Sequence, residues 1–147
     1  MRTMPPSSVD FILTDPPYIV RYASRDGRTI ASDDNGRWLT PAFAECFRVL
    51  KSDRYAVSFY GWSQVHHFME AWRTARFVPV SHLVFVKDYA SKTGFTRSYH
   101  ECAYVLAKGN PRKPATILPD VLSWRYTGND LHPTQKPVMA MAPLILG

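Results

Sequence analysis

Hydrophobic positions occur along the chain in two alternating patterns. The short apolar run of residues 9–14 is followed by Asp15-Pro16-Pro17, as expected of a buried strand that enters a loop. A second such run at residues 54–60 predicts another strand. Between them, an apolar face that repeats every three or four residues predicts a helix beginning at Thr40-Pro41, where Thr40 would be the N-cap. The chain therefore begins as an alternation of strands and helices.

The alternation continues through the second half of the chain. We predict a second helix with Ser63 as its N-cap, and strands at residues 77–86 and 101–107. Residues 108–136 are interpreted mostly as loop. Pro137 is positioned to open a last helix, which Pro143 is expected to interrupt. The pattern predicts a single α/β domain over residues 1–147, with an incomplete sheet.

The composition is consistent with a folded domain that binds a polyanion. The chain is 46% hydrophobic, enough for one core, and its formal net charge of +6 has the sign expected of a nucleic-acid-binding protein. A basic protein without that function would carry the same charge. Two polar segments, residues 19–37 and 87–99, combine basic and aromatic residues. Their candidate phosphate contacts are Arg21, Arg25, Arg28, Lys87, Lys92 and Arg97.

The same sequence disfavours several classes of protein. Cys46 and Cys102 form no CxxC pair, so we expect reduced, buried thiols in a cytoplasmic protein. The five histidines have no metal-ligand spacing, and we expect no metal. No apolar run has the length of a membrane span, and the first residues lack the apolar stretch of a signal peptide. We therefore expect neither secretion nor membrane insertion.

The most specific chemical signal is the tetrapeptide Asp15-Pro16-Pro17-Tyr18. It follows a predicted strand, and ligands of open α/β sheets bind at the carboxyl ends of strands. An ionised Asp15 and the Pro16 carbonyl can each accept a hydrogen from an exocyclic amine, whose delocalised nitrogen is otherwise a poor nucleophile. The prolines restrict the backbone, and Tyr18 offers a ring on which a flipped base can stack. The alternative is a proline turn with Asp15 as a cap and Tyr18 in the core.

This tetrapeptide resembles the catalytic motif of the N6-adenine and N4-cytosine DNA methyltransferases. The segment His132-Pro133-Thr134-Gln135-Lys136-Pro137 is similar to the one that precedes the cofactor-binding half in family members whose catalytic motif comes first. The resemblance implies a Rossmann-like fold, S-adenosylmethionine as the methyl donor and double-stranded DNA as the substrate. It also implies that five residues lie near the cofactor: His132, Thr134, Gln135, Lys136 and Pro137. Aspartate at position 15 resembles the adenine-specific members more than the cytosine-specific ones.

One family element is missing from the 147 residues. The Phe-x-Gly-x-Gly loop that holds the methionine part of the cofactor does not occur, so we expect the cofactor-binding half to lie beyond Gly147 and this domain to be partial. An uncovered sheet edge beside residues 9–14 would then allow self-association.

The sequence leaves several functions open. We favour an N6-adenine DNA methyltransferase. An N4-cytosine methyltransferase and an inactive remnant that only binds nucleic acid are the alternatives. Methylation of RNA or protein is disfavoured, because such relatives typically carry asparagine where this chain has Asp15.

Overall fold

The computed structural model describes residues 1, 3–23, 27, 29–90, 92–125 and 135–146, without the side chains of residues 92, 93 and 146. These residues contain seven strands: β1 (Ile12–Thr14), β2 (Arg54–Tyr60), β3 (Val78–Lys87), β4 (Lys92–Thr93), β5 (Arg97–Ser98), β6 (His100–Lys108) and β7 (Val121–Trp124). They contain three α-helices: α1 (Leu39–Val49), α2 (Val65–Thr74) and α3 (Val138–Leu146). A 3-10 turn at Trp62–Gln64 precedes α2.

Five strands form a mixed sheet in the order β1-β2-β6-β3-β7, and β4 and β5 form a separate hairpin. Strand β1 is parallel to β2, and β7 is parallel to β3. Strand β6 lies between β2 and β3 and is antiparallel to both. The carboxyl ends of β1, β2, β3 and β7 therefore meet the amino end of β6 at one edge. We call this edge, where Asp15 follows β1, the Asp15 edge.

Both faces of the sheet are covered by helices. One face packs against α1 and α2 through Phe43, Phe68 and Trp72. The opposite face carries Phe59 and packs against Ala140 of α3. Because successive side chains of a strand point to opposite faces, β2 is apolar on both faces. This explains why its sequence is an almost continuous apolar run.

The starts of the first two helices differ from the prediction. Thr40 lies in the first turn of α1, whose N-cap is Trp38, and no side chain caps that end. The chain enters α1 through a turn in which the Leu39 N–H donates to the Gly36 carbonyl at 3.0 Å. Ser63 lies inside the 3-10 turn, and Gln64 is the N-cap of α2. The extra turn moves the start of α2 beyond the predicted cap.

In the second half of the chain one strand was not predicted and one prediction is wrong. The described residues between 109 and 136 are mostly loop, as predicted, but Val121–Trp124 forms a strand that pairs with β3. Helix α3 continues through Pro143, which was expected to interrupt it. Proline removes only the one bond to the carbonyl four residues earlier, that of Met139, and Met139 is an exposed residue.

The sheet edge and the two cysteines agree with expectation. Within the described residues, β1 pairs with β2 alone, so the predicted sheet edge is present; self-association through it stays a prediction. Cys46 and Cys102 are free and buried, and burial raises the pKa of the Cys46 thiol to about 11. None of the helices in the described part of the chain has the length and apolar character needed to cross a membrane.

Candidate active site

A cavity of about 340 Å³ opens at the Asp15 edge. It brings together the two segments that the sequence singled out, although they lie at opposite ends of the chain. Its lining residues include Asp15, Pro16, Pro17, Tyr18, Asp33, Gln135 and Lys136. The tetrapeptide Asp15-Pro16-Pro17-Tyr18 therefore shares one cavity with Gln135 and Lys136 of the second segment, while the role of each residue stays a prediction.

Asp15 is paired with Lys136 at the mouth of this cavity. The Lys136 Nζ atom lies 2.9 Å from Asp15 Oδ2. The Lys136 side chain is only 12% exposed, whereas that of Asp15 is 32% exposed. A positive charge is thus held beside the carboxylate that the sequence predicts to accept an amine hydrogen.

Three aromatic rings surround the Lys136 ammonium. Its Nζ atom lies 5.3 Å from the ring centroid of Tyr18, 5.0 Å from that of Phe59 and 5.4 Å from that of Trp124. All three distances are within the range of cation–π attraction. The rings come from the loop after β1, from β2 and from β7. We call Tyr18, Phe59 and Trp124 the aromatic cage.

The Tyr18 hydroxyl lies between two carboxylates. It is 3.3 Å from Glu101 Oε2, and Asp15 also forms a hydrogen bond with it. Burial, followed by the negative charges of Asp15 and Glu101, holds the pKa of the Tyr18 phenol well above its usual range. Tyr18 therefore stays protonated, and its one O–H hydrogen can be donated to either carboxylate.

Glu101 is a site residue that the sequence reasoning missed. It begins the predicted strand at residues 101–107, and β6 runs antiparallel to β2, so Glu101 reaches the Asp15 edge. The sequence does show a carboxylate at the amino end of a predicted strand. It does not show the order and direction of the strands, which decide that this end of β6 lies at the Asp15 edge.

Lys87 occupies a different place from the one predicted. It is only 3% exposed, and its Nζ atom lies 2.9 Å from Glu101 Oε1. An ammonium buried in this ion pair is not presented to solvent, which argues against the predicted contact of Lys87 with DNA phosphate. Its position at the end of β3 makes it the counterion of Glu101 instead.

Replacing Glu101 with glutamine should lower the pKa of the Tyr18 phenol. Glutamine keeps the shape and an acceptor oxygen but removes a negative charge that disfavours the phenolate. In an ultraviolet titration of tyrosinate absorbance, Glu101→Gln should therefore shift one transition to lower pH, and Tyr18→Phe should remove that transition. The exposed Glu70→Gln on α2 is the matched control. An unchanged titration in Glu101→Gln would contradict the contact.

Gly61, directly after β2, allows the catalytic tetrapeptide to approach the sheet. A Cβ atom on Gly61 would lie 2.8 Å from Tyr18 Cβ and 2.9 Å from the Tyr18 carbonyl oxygen. Real Cβ atoms are not found at such distances from other atoms. Glycine at position 61 therefore has a steric reason that sequence spacing alone does not reveal.

Asp33 holds the loop that follows Tyr18. Its carboxylate, in a residue only 2% exposed, accepts the N–H of Val20 at 3.2 Å and the N–H of Tyr22 at 2.6 Å. Ile19 and Arg21 in this loop have φ angles of 60° and 51°, which are unfavourable for non-glycine residues. The Asp33 hydrogen bonds offset that strain.

The remaining predicted site residues are distributed as follows. Arg21 and Arg97 are exposed, Gln135 lines the cavity, and Pro137 is buried at the start of α3. Four predicted positions lie outside the described residues: Arg25, Arg28, His132 and Thr134. For Lys92 the structure describes the backbone and not the side chain. Within the described residues, no group of three histidine, cysteine, aspartate or glutamate side chains has the arrangement of a metal site.

Comparison with known proteins identifies the family. The model of a family described as DNA methylase, of the N6/N4 methyltransferase type, matches residues 9–147. The chain belongs to this DNA methylase family. It is 57% identical over 145 residues to YubD of Escherichia coli (strain K12), itself assigned as a methylase by inference. That match covers 99% of this chain and 64% of YubD.

The solved DNA methyltransferases share the fold. M1.HpyAVI in complex with S-adenosylmethionine matches with a TM-score of 0.68 and 20% identity, over 95% of this chain and 66% of that one. The cytosine-N4-specific PvuII DNA methyltransferase matches with a TM-score of 0.62 and 12% identity, over 99% and 58%. The predicted Rossmann-like methyltransferase fold is thus confirmed. The chain spans 64% of the length of YubD, 66% of M1.HpyAVI and 58% of the PvuII enzyme.

Proposed function

We propose that this chain forms the acceptor side of the catalytic site in an S-adenosylmethionine-dependent DNA methyltransferase that modifies N6 of adenine. The observation that carries the proposal is the position of Asp15 at the mouth of a cavity, beside an aromatic cage that holds a cation. Methyl transfer to an amine requires a hydrogen-bond acceptor for the amine and an environment that tolerates positive charge.

The residues at the Asp15 edge fit a cationic donor. The cage and the Asp15 carboxylate already hold the Lys136 ammonium. When bound, S-adenosylmethionine supplies an electrophilic methyl group on a positively charged sulfur. Gln135 and Lys136 line the cavity and are proposed to lie near the donor. We propose the same for His132, Thr134 and Pro137 on the family resemblance, with buried Pro137 acting by fixing the start of α3.

The catalytic tetrapeptide is proposed to bind the target amine. Asp15 and the Pro16 carbonyl accept its two hydrogens, which increases electron density on the nitrogen and offsets the positive charge that develops there. Pro17 restricts the backbone behind Pro16. The Tyr18 ring is fixed by the bond from its hydroxyl to Glu101, so it can stack on a flipped base without losing side-chain freedom at that step.

The choice of adenine rests on Asp15, because cytosine-specific members of the family more often have serine there. The test is to incubate the protein with S-adenosylmethionine carrying a labelled methyl group, offering duplex DNA, RNA and protein in parallel. Label recovered as N6-methyladenine supports the proposal, and label recovered as N4-methylcytosine supports the alternative. DNA binding without label transfer would favour a protein that only binds nucleic acid.

We propose that the protein acts in the cytoplasm, where free thiols such as Cys46 persist.

The β4–β5 hairpin is proposed to contact the DNA duplex. Its strands pair through Thr93 and Arg97, and its turn is closed by a Gly94 N–H bond to the Thr96 carbonyl at 3.0 Å. Phe95 at the tip is fully exposed. An apolar side chain on a basic hairpin can enter the gap left by a flipped base, while arginines bind the phosphates. Arg21, which is exposed near the cavity, is proposed as a second phosphate contact.

Replacing Phe95 with alanine should reduce base flipping by roughly tenfold, because one base–aromatic contact is lost. The measurement is the fluorescence of 2-aminopurine at the target position, which rises when the base leaves the stack. Ile117→Ala, an exposed apolar residue outside the hairpin, is the matched control. Equal fluorescence in the two variants would exclude insertion of Phe95.

A further inference from the structure

The aromatic cage has the features of a built cation site. Its three rings come from three different parts of the fold, and each faces one point, the Lys136 Nζ atom, at 5.0 to 5.4 Å. The Asp15 carboxylate supplies negative charge on one side of that point at 2.9 Å. Trp124 and Phe59 are buried, so the positions of their rings are fixed by the core.

We propose that the aromatic cage and Asp15 bind small methylated organic cations, sulfonium or quaternary ammonium, and that Lys136 is a tethered occupant which such a cation displaces. The cation site itself depends only on the geometry of the cage. Its biological ligand depends on the proposed function, in which the donor sulfonium belongs to this chemical class.

The chemistry of the competing cations favours displacement. A lysine ammonium is compact and strongly hydrated, so it regains much of its hydration when it returns to water. A methylated cation spreads its charge over methyl groups, is hydrated more weakly and makes apolar contact with the rings. Lys136 also has a long flexible stem, which lets its ammonium leave without movement of the backbone. The cage therefore discriminates in favour of the methylated cation.

The occupancy by Lys136 has a consequence for Asp15. While the ion pair is present, Asp15 Oδ2 has a cation at 2.9 Å, in the position where the target amine is proposed to donate. The same displacement would therefore place the methylated cation in the cage and free the Asp15 acceptor oxygen from the lysine, because a sulfonium or quaternary ammonium ion has no N–H to donate to it. In this way the site would present its carboxylate only when a suitable cation has arrived.

The test uses the 147-residue chain and tetramethylammonium as the probe. Binding is followed by nuclear magnetic resonance through the upfield shift of the probe's methyl signal, which the ring currents of three aromatic rings produce. Lys136→Ala should bind the probe at least tenfold more tightly than the unmodified chain. Lys51→Ala, which removes an exposed lysine paired with Asp10, should bind as the unmodified chain does.

Two further arms identify the forces involved. Choline should bind Lys136→Ala, whereas its neutral analogue with a quaternary carbon in place of nitrogen should bind at least tenfold more weakly. Adding Trp124→Leu to Lys136→Ala should abolish the upfield shift. Circular dichroism checks that each variant is folded, and Lys136→Ser replaces Lys136→Ala if the latter is not.

Three outcomes would overturn the proposal: no probe binding to any folded Lys136 variant, equal affinity with and without Lys136, or equal affinity for choline and its neutral analogue. Cation binding without labelled-methyl transfer to DNA would contradict only the proposed enzymatic function. Methyl transfer without cation binding would contradict only the cage.

Discussion

Asp15→Asn should lower the rate of methyl transfer to DNA by about two to three orders of magnitude, the usual effect of losing one electrostatic contact to a transition state. Asparagine has the same shape as aspartate but lacks its negative charge. It no longer offsets the positive charge on the amine, and its amide can present N–H groups where an acceptor is needed. The measurement is single-turnover transfer of labelled methyl, which separates the chemical step from binding.

The control for this substitution lies on the other side of β1. Asp10 precedes the strand and forms exposed ion pairs with Lys51 and Arg54, so Asp10→Asn removes the same charge far from the cavity. Exposed pairs contribute little, and transfer should stay within about twofold of the unmodified rate. If Asp15→Asn also kept its rate, another residue would have to accept the amine hydrogens.

Local sequence patterns predicted the central strands well. Strand β2 has the predicted bounds, Arg54–Tyr60, and β3 and β6 differ from the predicted ranges by one residue at each end. These strands are long, and their side chains are buried in alternation or on both faces, so the apolar pattern is strong. The tetrapeptide at Asp15 was also correctly predicted to follow a strand at the carboxyl edge of the sheet.

The errors arise where an outcome depends on distant parts of the chain. Strand β7 has four residues and alternates exposed and buried positions, too short a pattern to separate it from loop before its pairing with β3 is known. Lys87 lies in a polar, basic stretch and was assigned to the surface. Its burial is decided by Glu101 on a neighbouring strand, a partner that sequence spacing does not reveal.

The same reasoning explains why part of the candidate site was found from the sequence and part was missed. Asp15 and Lys136 were singled out by motifs, and they meet at 2.9 Å. The rings of Phe59 and Trp124 were not, because an aromatic residue on a strand is most often core. Both are core residues here as well. Their proposed role in cation binding follows only from the structure, in which both rings also face the Lys136 ammonium.

Gly61→Ala should reduce methyl transfer by about a hundredfold, because a displacement of the reacting groups by about 1 Å is enough to cause such a loss. The new Cβ atom would lie 2.8 Å from Tyr18 Cβ, and backbone atoms of the catalytic tetrapeptide cannot move aside as a flexible side chain does. Tyr18 would shift relative to Glu101 and to the rest of the aromatic cage. The measurement is the single-turnover rate, together with the melting temperature of the variant.

Gly94→Ala is the matched control, since a Cβ atom at Gly94 meets nothing within 4 Å. It should not change the melting temperature appreciably, and with DNA at saturating concentration, where a change in hairpin binding has no effect, it should not change the rate. A second variant, Gly61→Ala with Tyr18→Ala, separates steric displacement from general damage to the strand end. It removes the Tyr18 Cγ contact but keeps the contacts to the Tyr18 Cβ and carbonyl oxygen, so it should not recover the rate of Tyr18→Ala alone. Recovery of that rate would mean that the ring, and not the backbone of the tetrapeptide, is what requires glycine at this position.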